Sequence, residues 1–273
     1  MEVRITDLFD LGKIVDSGQC FRAALLPEGD YRFITGGQVL YIQKCAEETY
    51  RVSCDRESWE RVWVPYFDLN RSYRDISGQI PEKDTFLRLA AQAGAGIRIL
   101  RQDPWETLVT FILSQRKSIP AIRAMVELLS QRYGTALETP HGTLYTFPTA
   151  QQLERAGLED YIACKAGYRA PYLCDAVCQV LSGRLDLERI AALPDGALID
   201  ALEGVRGVGV KVANCVALFA YGRTACAPVD TWIKKIIQRE YRGRDPFGQY
   251  GAAAGIMQQY FFYYAQSHKE ETA

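Results

Sequence analysis

The chain has 273 residues, 48% of them hydrophobic and 24% charged, with a formal net charge of -1. That is enough apolar material for one large core or two smaller ones, and the near-neutral balance argues against a protein that coats polyanions over its whole surface. The N-terminal MEVRITDLF lacks a basic segment followed by a long apolar run, and no stretch approaches the length of a transmembrane helix, so a soluble, intracellular protein without membrane association is expected.

The first 60 or so residues are turn-rich and aromatic. FRAALLPEGDYRFITGGQVLYIQKCAEETYRVSC (21–54) breaks into short β-prone runs separated by PEGD, GG and AEE, which predicts an antiparallel meander. From Arg56 onward the period changes. ESWERVWVPYF, KDTFLRLAAQA, DPWETLVTFILSQ and IPAIRAMVELLSQRYG carry apolar residues at three- and four-residue spacing, the signature of helices. Asp103 and Pro104 supply an N-cap and a first-turn proline for the helix through Leu113, and Gly134 stops the next one. The expected architecture is α+β: an N-terminal antiparallel β domain over residues 1–85, then an α-helical domain over 86–273.

RGVGVKVANC (206–215) sets a lysine two residues beyond a pair of glycines. A phosphate-cradling loop would place lysine directly after Gly209 and a hydroxyl after it, but Val210 intervenes and Val212 follows Lys211. A dinucleotide fingerprint would need a preceding strand, whereas ALPDGALIDALEG reads as a helix. What remains is helix, glycine hairpin, helix. The backbone N–H groups of Gly207, Gly209 and Val210 suit a DNA phosphate without reading a base, although a plain helical corner has the same pattern. The span Ala201–Tyr250 holds eight Lys/Arg against four Asp/Glu, a local excess of positive charge that phosphate binding would use and a solvated helix surface would equally display.

Nineteen residues beyond Lys211, Asp230 stands before a helix whose Ile233, Ile236 and Ile237 share a face, so it reads as an N-cap. An amine partly desolvated by Val210, Val212 and Cys215 would be a nucleophile, and a carboxylate can stabilise developing positive charge; a snorkelling lysine and a simple cap are the alternatives. The eight cysteines form no C-x-x-C pair and His141 and His268 lie far apart in sequence, so no zinc or iron–sulfur site and no cofactor is expected. The thiols read as reduced packing residues.

The segments DSGQCFR (16–22), ILRQDPWETLVTFILSQ (99–115), GYRAPYL (167–173), RGVGVKVANCVALFAYGRTACAPVD (206–230) and GIMQQYFF (255–262) together resemble the helix-hairpin-helix DNA glycosylases, and within them the 8-oxoguanine branch. The resemblance runs from about Asp16 onward. It implies that Lys211 attacks the deoxyribose anomeric carbon, that Asp230 stabilises the oxocarbenium-like charge, and that the resulting Schiff base permits β-elimination. It further implies a flipped-out base met by the Gly18 carbonyl, by Gln258 at its Watson–Crick edge, and by Phe262 and Cys215 on its faces. Tyr168 matches a wedge into the vacated helix and Arg169 a group that reaches the orphaned partner base.

Three places in the chain depart from the family pattern. Gln115, Arg116, Lys117 and Ser118 stand where strict cytosine readers carry an asparagine run, Ala121 where they carry an arginine, and Trp232 where they carry a histidine near the phosphate. Arg116 remains a candidate DNA contact. The expectation is a bifunctional glycosylase and AP lyase acting as a monomer on duplex DNA containing 8-oxoguanine, with relaxed opposite-base preference. The alternatives are a helix-hairpin-helix glycosylase for another damaged base and a non-catalytic DNA-binding module.

Overall fold

The computed structural model describes residues 1–268; the last part of the expected helical domain, 269–273, lies outside the described residues. Strands β1 (Glu2–Arg4), β2 (Ala24–Leu25), β3 (Tyr31–Thr35), β4 (Gln38–Ala46) and β5 (Thr49–Val52) form an antiparallel sheet in the order β1-β5-β4-β3-β2. Strands β2 to β5 are the meander expected from the sequence. Its β3–β4 turn is Gly36–Gly37, with φ of 50° and 79°, the left-handed pair that a two-residue hairpin of matching twist requires.

Two elements add to the meander expected from the sequence. Strand β1 returns to pair with β5, Val3 opposite Tyr50. A short helix, α1 (Leu11–Asp16), lies between β1 and β2, because Asp10 caps it through Lys13 N at 3.0 Å and Leu11, Ile14 and Val15 bury one face. Six residues give barely one and a half turns of periodicity, too little to separate from a β-prone run.

Beyond the sheet the chain is mainly helical. Residues 56–66 form a helical segment containing a π turn, Trp59–Trp63. There follow α2 (Thr85–Gly94), α3 (Pro104–Ser114), α4 (Ile119–Tyr133), a hairpin of β6 (Ala136–Thr139) and β7 (Gly142–Tyr145), α5 (Ala170–Leu181), α6 (Asp195–Glu203), α7 (Val210–Phe219), α8 (Thr231–Glu240) and α9 (Ala254–Ser267). The boundary signals act as expected: Asp103 accepts from Glu106 N at 2.8 Å ahead of α3, and α4 ends at Gly134, whose N–H donates to Ser130 O at 2.8 Å. The β6–β7 hairpin has no counterpart among the elements expected from the sequence.

The chain divides into two compact units, neither of them one continuous stretch. The first comprises Met1–Arg32, Leu40–Arg101 and Gly222–Ala273, the second Phe33–Val39 and Gln102–Tyr221. A cut between residues 85 and 86 falls at the start of α2 inside the first unit. There α2 and α9 pack so closely that a Cβ at Gly94 would meet Tyr260 Cδ1 at 2.6 Å.

The first unit is organised around a buried cation. Arg98 is 0% exposed and lies over the Tyr73 ring at 3.9 Å. Its Nη1 donates to Asp7 Oδ2 at 2.7 Å and to Leu8 O, its Nε to Phe67 O, and its Nη2 to Arg71 O at 2.8 Å and to Asp68 O. The Asp7 carboxylate in turn accepts from the backbone of Tyr73 and Arg74. Burial pushes the Asp7 carboxyl up, but hydrogen bonds from the Tyr73 and Leu8 backbone, Arg98 and the Arg74 backbone outweigh it and hold it below its usual range.

Replacing Arg98 by Met strands the Asp7 charge and four carbonyls, and is expected to cost about 3–5 kcal/mol of stability in urea unfolding. Because the folded carboxyl titrates lower than the unfolded one, the Asp7 contribution is fully present above the ordinary carboxylate value and is lost as pH falls through the folded value. Asp7→Asn should flatten that acid limb; an unchanged limb would place the acid sensitivity elsewhere.

Candidate functional site

In the second unit, α6 and α7 form the two arms of the expected helix-hairpin-helix. Leu198 and Leu202 of α6 are 0% exposed, as are Ala213, Val216, Ala217 and Leu218 of α7, so both helices bury a face and the turn stands between them. Gly207 has φ of 82°, and a Cβ there would fall 2.3 Å from Tyr172 Cδ2, so this position admits glycine on two counts. Gly209 is extended at the N-cap of α7, and no atom lies within 4 Å of where a Cβ would stand, which leaves the first-turn N–H groups approachable.

Helix α5 and the end of α3 hold this turn. Asp175 Oδ2 accepts from Arg206 N at 2.8 Å, Gln179 Nε2 donates to Gly204 O at 3.0 Å, and Gln115 Nε2 donates to Gly207 O at 3.0 Å. Lys211 follows in the first turn of α7, half-buried, its Nζ 5.3 Å from the centroid of the Phe111 ring. That ring stacks on Phe219 at 5.5 Å. Among the described residues Nζ has no hydrogen bond or ion pair. An aromatic face beneath a free amine attracts its cationic form and shields one side from water.

The surroundings of Lys211 differ from expectation in one respect. Val210 is 63% exposed and so gives the amine little shelter from water; Val212 and Cys215 are buried as expected, and the covering group is Phe111. Phe111 lies inside the segment ILRQDPWETLVTFILSQ, but nothing local marks it out among the apolar residues of α3.

Among the other expected site residues of this unit, one meets the ring of Tyr172 directly. Tyr168, 52% exposed, meets its ring edge-on at 6.2 Å. Arg169 is only 2% exposed: its guanidinium lies 4.2 Å over the Tyr168 ring and donates to Ala166 O at 3.1 Å and to Gln115 O. Arg116 is exposed, with a left-handed φ of 53° in the α3–α4 turn. Ala121 is half-buried on α4 and brings no donor.

In the first unit, Gly18 has φ of 73° just after α1. Its loop is held on both sides. Gln19 donates to Ser17 Oγ and Arg98 O, each at 2.8 Å, and accepts from Leu100 N at 2.8 Å; Gln259 of α9 donates to Ser17 O at 2.6 Å. Gln258, one residue before, is 4% exposed, and its Oε1 is buried with no hydrogen-bond partner among the described residues. Phe262, one helical turn on, is half-buried. Asp230 caps α8 through Ile233 N at 2.9 Å, as the sequence predicts, and its other oxygen makes no bond among the described residues.

Among the described residues no group of three or more His, Cys, Asp or Glu could hold a metal ion, and no helix is long and apolar enough to cross a membrane. Cys20, Cys164, Cys215 and Cys226 are buried thiols, whereas Cys45 and Cys178 are exposed, so packing accounts for only part of the set.

Residues 2–108 match the family model for the N-terminal domain of 8-oxoguanine DNA glycosylase. The apo 8-oxoguanine glycosylase/lyase of Clostridium acetobutylicum is similar over 97% of this chain and 95% of its own, with 38% identity and a TM-score of 0.91. That enzyme in complex with double-stranded DNA containing cytosine opposite 8-oxoG gives 35% identity and a TM-score of 0.90 over 98% of both chains. The N-glycosylase/DNA lyase of Saccharomyces cerevisiae is 32% identical over 195 residues, 66% of this chain and 50% of the relative, so the match spans about half of that protein's length. The antiparallel sheet and the helical remainder are those of a DNA glycosylase. More narrowly, the chain belongs to the 8-oxoguanine DNA glycosylase/lyase family, enzymes of DNA repair.

A buried amide oxygen with no partner costs about 1–3 kcal/mol. Gln258→Met removes that oxygen at nearly constant volume, so the variant is expected to be as stable as the parent or more so in thermal unfolding. It should nevertheless slow single-turnover excision of 8-oxoguanine while keeping the selectivity over guanine, because the two bases share one Watson–Crick edge. Reduced stability with an unchanged excision rate would make Gln258 a packing residue only.

Proposed function

We propose that this chain excises 8-oxoguanine from duplex DNA and then cleaves the strand, using Lys211 as the nucleophile, with no cofactor, as an intracellular monomer. The observation that carries the reading is Lys211 itself: a free amine over an aromatic ring, in the first turn of a helix whose N-terminal donors suit a phosphate. The amine attacks the anomeric carbon as the N-glycosidic bond breaks, and the departing base takes a proton. Opening of the sugar ring gives a protonated Schiff base. Loss of a C2′ proton then expels the 3′ phosphate by β-elimination. Asp230, with one oxygen on its cap and the other unbonded among the described residues, is assigned the stabilisation of positive charge on the sugar.

For the lesion, the left-handed backbone at Gly18 is assigned the carbonyl that accepts from the N7 hydrogen, and the unpartnered Gln258 Oε1 the Watson–Crick edge. Cys215 and Phe262 are assigned the faces of the base. On the helix side, exposed Tyr168 is the wedge, Arg116 and the N–H groups of Gly207, Gly209 and Val210 the backbone contacts, and Arg169 the partner-base contact. Arg169 reaches that base only by releasing two carbonyls, and Ala121 offers nothing in compensation, which favours a relaxed opposite-base preference.

Lys211→Gln is expected to abolish excision and borohydride-trapped complex while leaving DNA affinity largely intact, since the main-chain donors remain; trapping that persists would move the nucleophile elsewhere. Asp230→Asn should keep the cap and lose most turnover, whereas stability and activity falling together would leave Asp230 as a cap alone. In single-turnover assays on four duplexes differing only in the opposite base, all four should be processed. One lost base-reading contact is worth about 1–3 kcal/mol of discrimination, so Ala121→Arg should sharpen the cytosine preference. A parent enzyme nearly inactive without cytosine would contradict this.

A further inference from the structure

Gln115 joins two features of the second unit that no motif connects. Its carbonyl accepts from Arg169 Nη2, and its side-chain amide donates to Gly207 O at 3.0 Å. The second feature is the hairpin turn, four residues ahead of Lys211, whose geometry leaves no room for adjustment at Gly207 because the Tyr172 ring fills the space beside it. Residue 115 is also where α3 stops: it is the C-cap, with an extended ψ of 122°, so its carbonyl is not committed to a helix. Arg169 has one further acceptor, Ala166 O at 3.1 Å, and its Nε is buried without a partner among the described residues.

We propose that Gln115 is a specificity-determining positioning residue that transmits engagement of the opposite base by Arg169 to the hairpin carrying Lys211; this rests on the function proposed above. A guanidinium fork needs two adjacent acceptors, and the Watson–Crick edge of cytosine offers O2 and N3 side by side. Thymine and guanine put an N–H at the centre of that edge, and adenine has a single acceptor there. Cytosine therefore draws the fork off the Gln115 carbonyl more completely than the other bases do. Residue 115 then settles against its one remaining anchor, Gly207 O, and the turn ahead of Lys211 is fixed by the bond that the side-chain amide makes. With a wrong partner, Arg169 stays divided between base and carbonyl, and the hairpin is held less well for attack.

The test uses Gln115→Met, which keeps the length of the side chain and removes its donor, with Gln179→Met as the comparison. Gln179 holds the same hairpin through Gly204 O at 3.0 Å but has no link to Arg169. Rates are measured in single turnover with saturating enzyme on 8-oxoguanine opposite each of the four bases, at a temperature where circular dichroism reports both variants folded. Gln115→Met is expected to slow excision opposite cytosine by up to about tenfold, one hydrogen bond's worth, and to slow the other three less, so that the cytosine preference falls toward unity. DNA affinity should not move. Gln179→Met should slow all four equally and preserve the preference. The proposal is overturned if Gln115→Met keeps the parent's preference, if it slows all four alike, or if the parent has no preference to lose. A parent that neither excises 8-oxoguanine nor traps with borohydride overturns the proposed function instead.

Discussion

The turn at Gly207 is the constraint on which the proposed chemistry depends. A lysine at the head of an apolar helix is useful only if the helix begins at a fixed place, and here it begins after a residue that must be glycine because a tyrosine ring occupies its side-chain volume. Asp175, Gln179 and Gln115 then pin the turn through one N–H and two carbonyls. These are contacts to backbone, so they fix geometry while leaving the lysine and the first-turn donors of α7 free. The same economy holds at Asp230, where one carboxylate oxygen holds the helix and the other makes no bond among the described residues.

The first unit solves a different problem by different means. The carbonyl role proposed for Gly18 demands a loop that cannot relax, and that loop is bracketed by Gln19 and Gln259. Gln19 itself hangs on the backbone of residues 98–100, which stays in place because the Arg98 side chain is buried and fully satisfied. Such a buried cation is tolerable because each donor has an acceptor and Asp7 neutralises the charge. Against this saturated network, Gln258 Oε1 and Gln266 Nε2 of α9 are buried without partners among the described residues, and the first is the atom to which the proposed function gives the base.

Signals that are local in sequence are the legible ones. Caps at Asp103 and Asp230, the stop at Gly134, the Gly36–Gly37 turn and the helix-hairpin-helix all follow from rules spanning a few residues. Strand β1 escapes such rules because three residues have no period, and α1 merges with the β-prone run beside it for a similar reason. Partnerships across long separations are out of reach of any local rule: Phe111 beneath Lys211, Arg98 among the carbonyls, and Arg169 already occupied by Gln115. Arg169 illustrates the limit most clearly. The family resemblance of GYRAPYL implies that it reaches the partner base, while its burial and bonds are those of a structural residue.

The central claim is that one amine, on Lys211, forms the covalent link to the sugar. Its most direct test is to reduce the unmodified protein with borohydride during turnover on an 8-oxoguanine duplex, digest both partners, and locate the sugar remnant by mass spectrometry. A single modified peptide with the remnant on Lys211 is the result this account predicts. A remnant on Lys117, Lys165, Lys234, Lys235 or the N-terminal amine would contradict it.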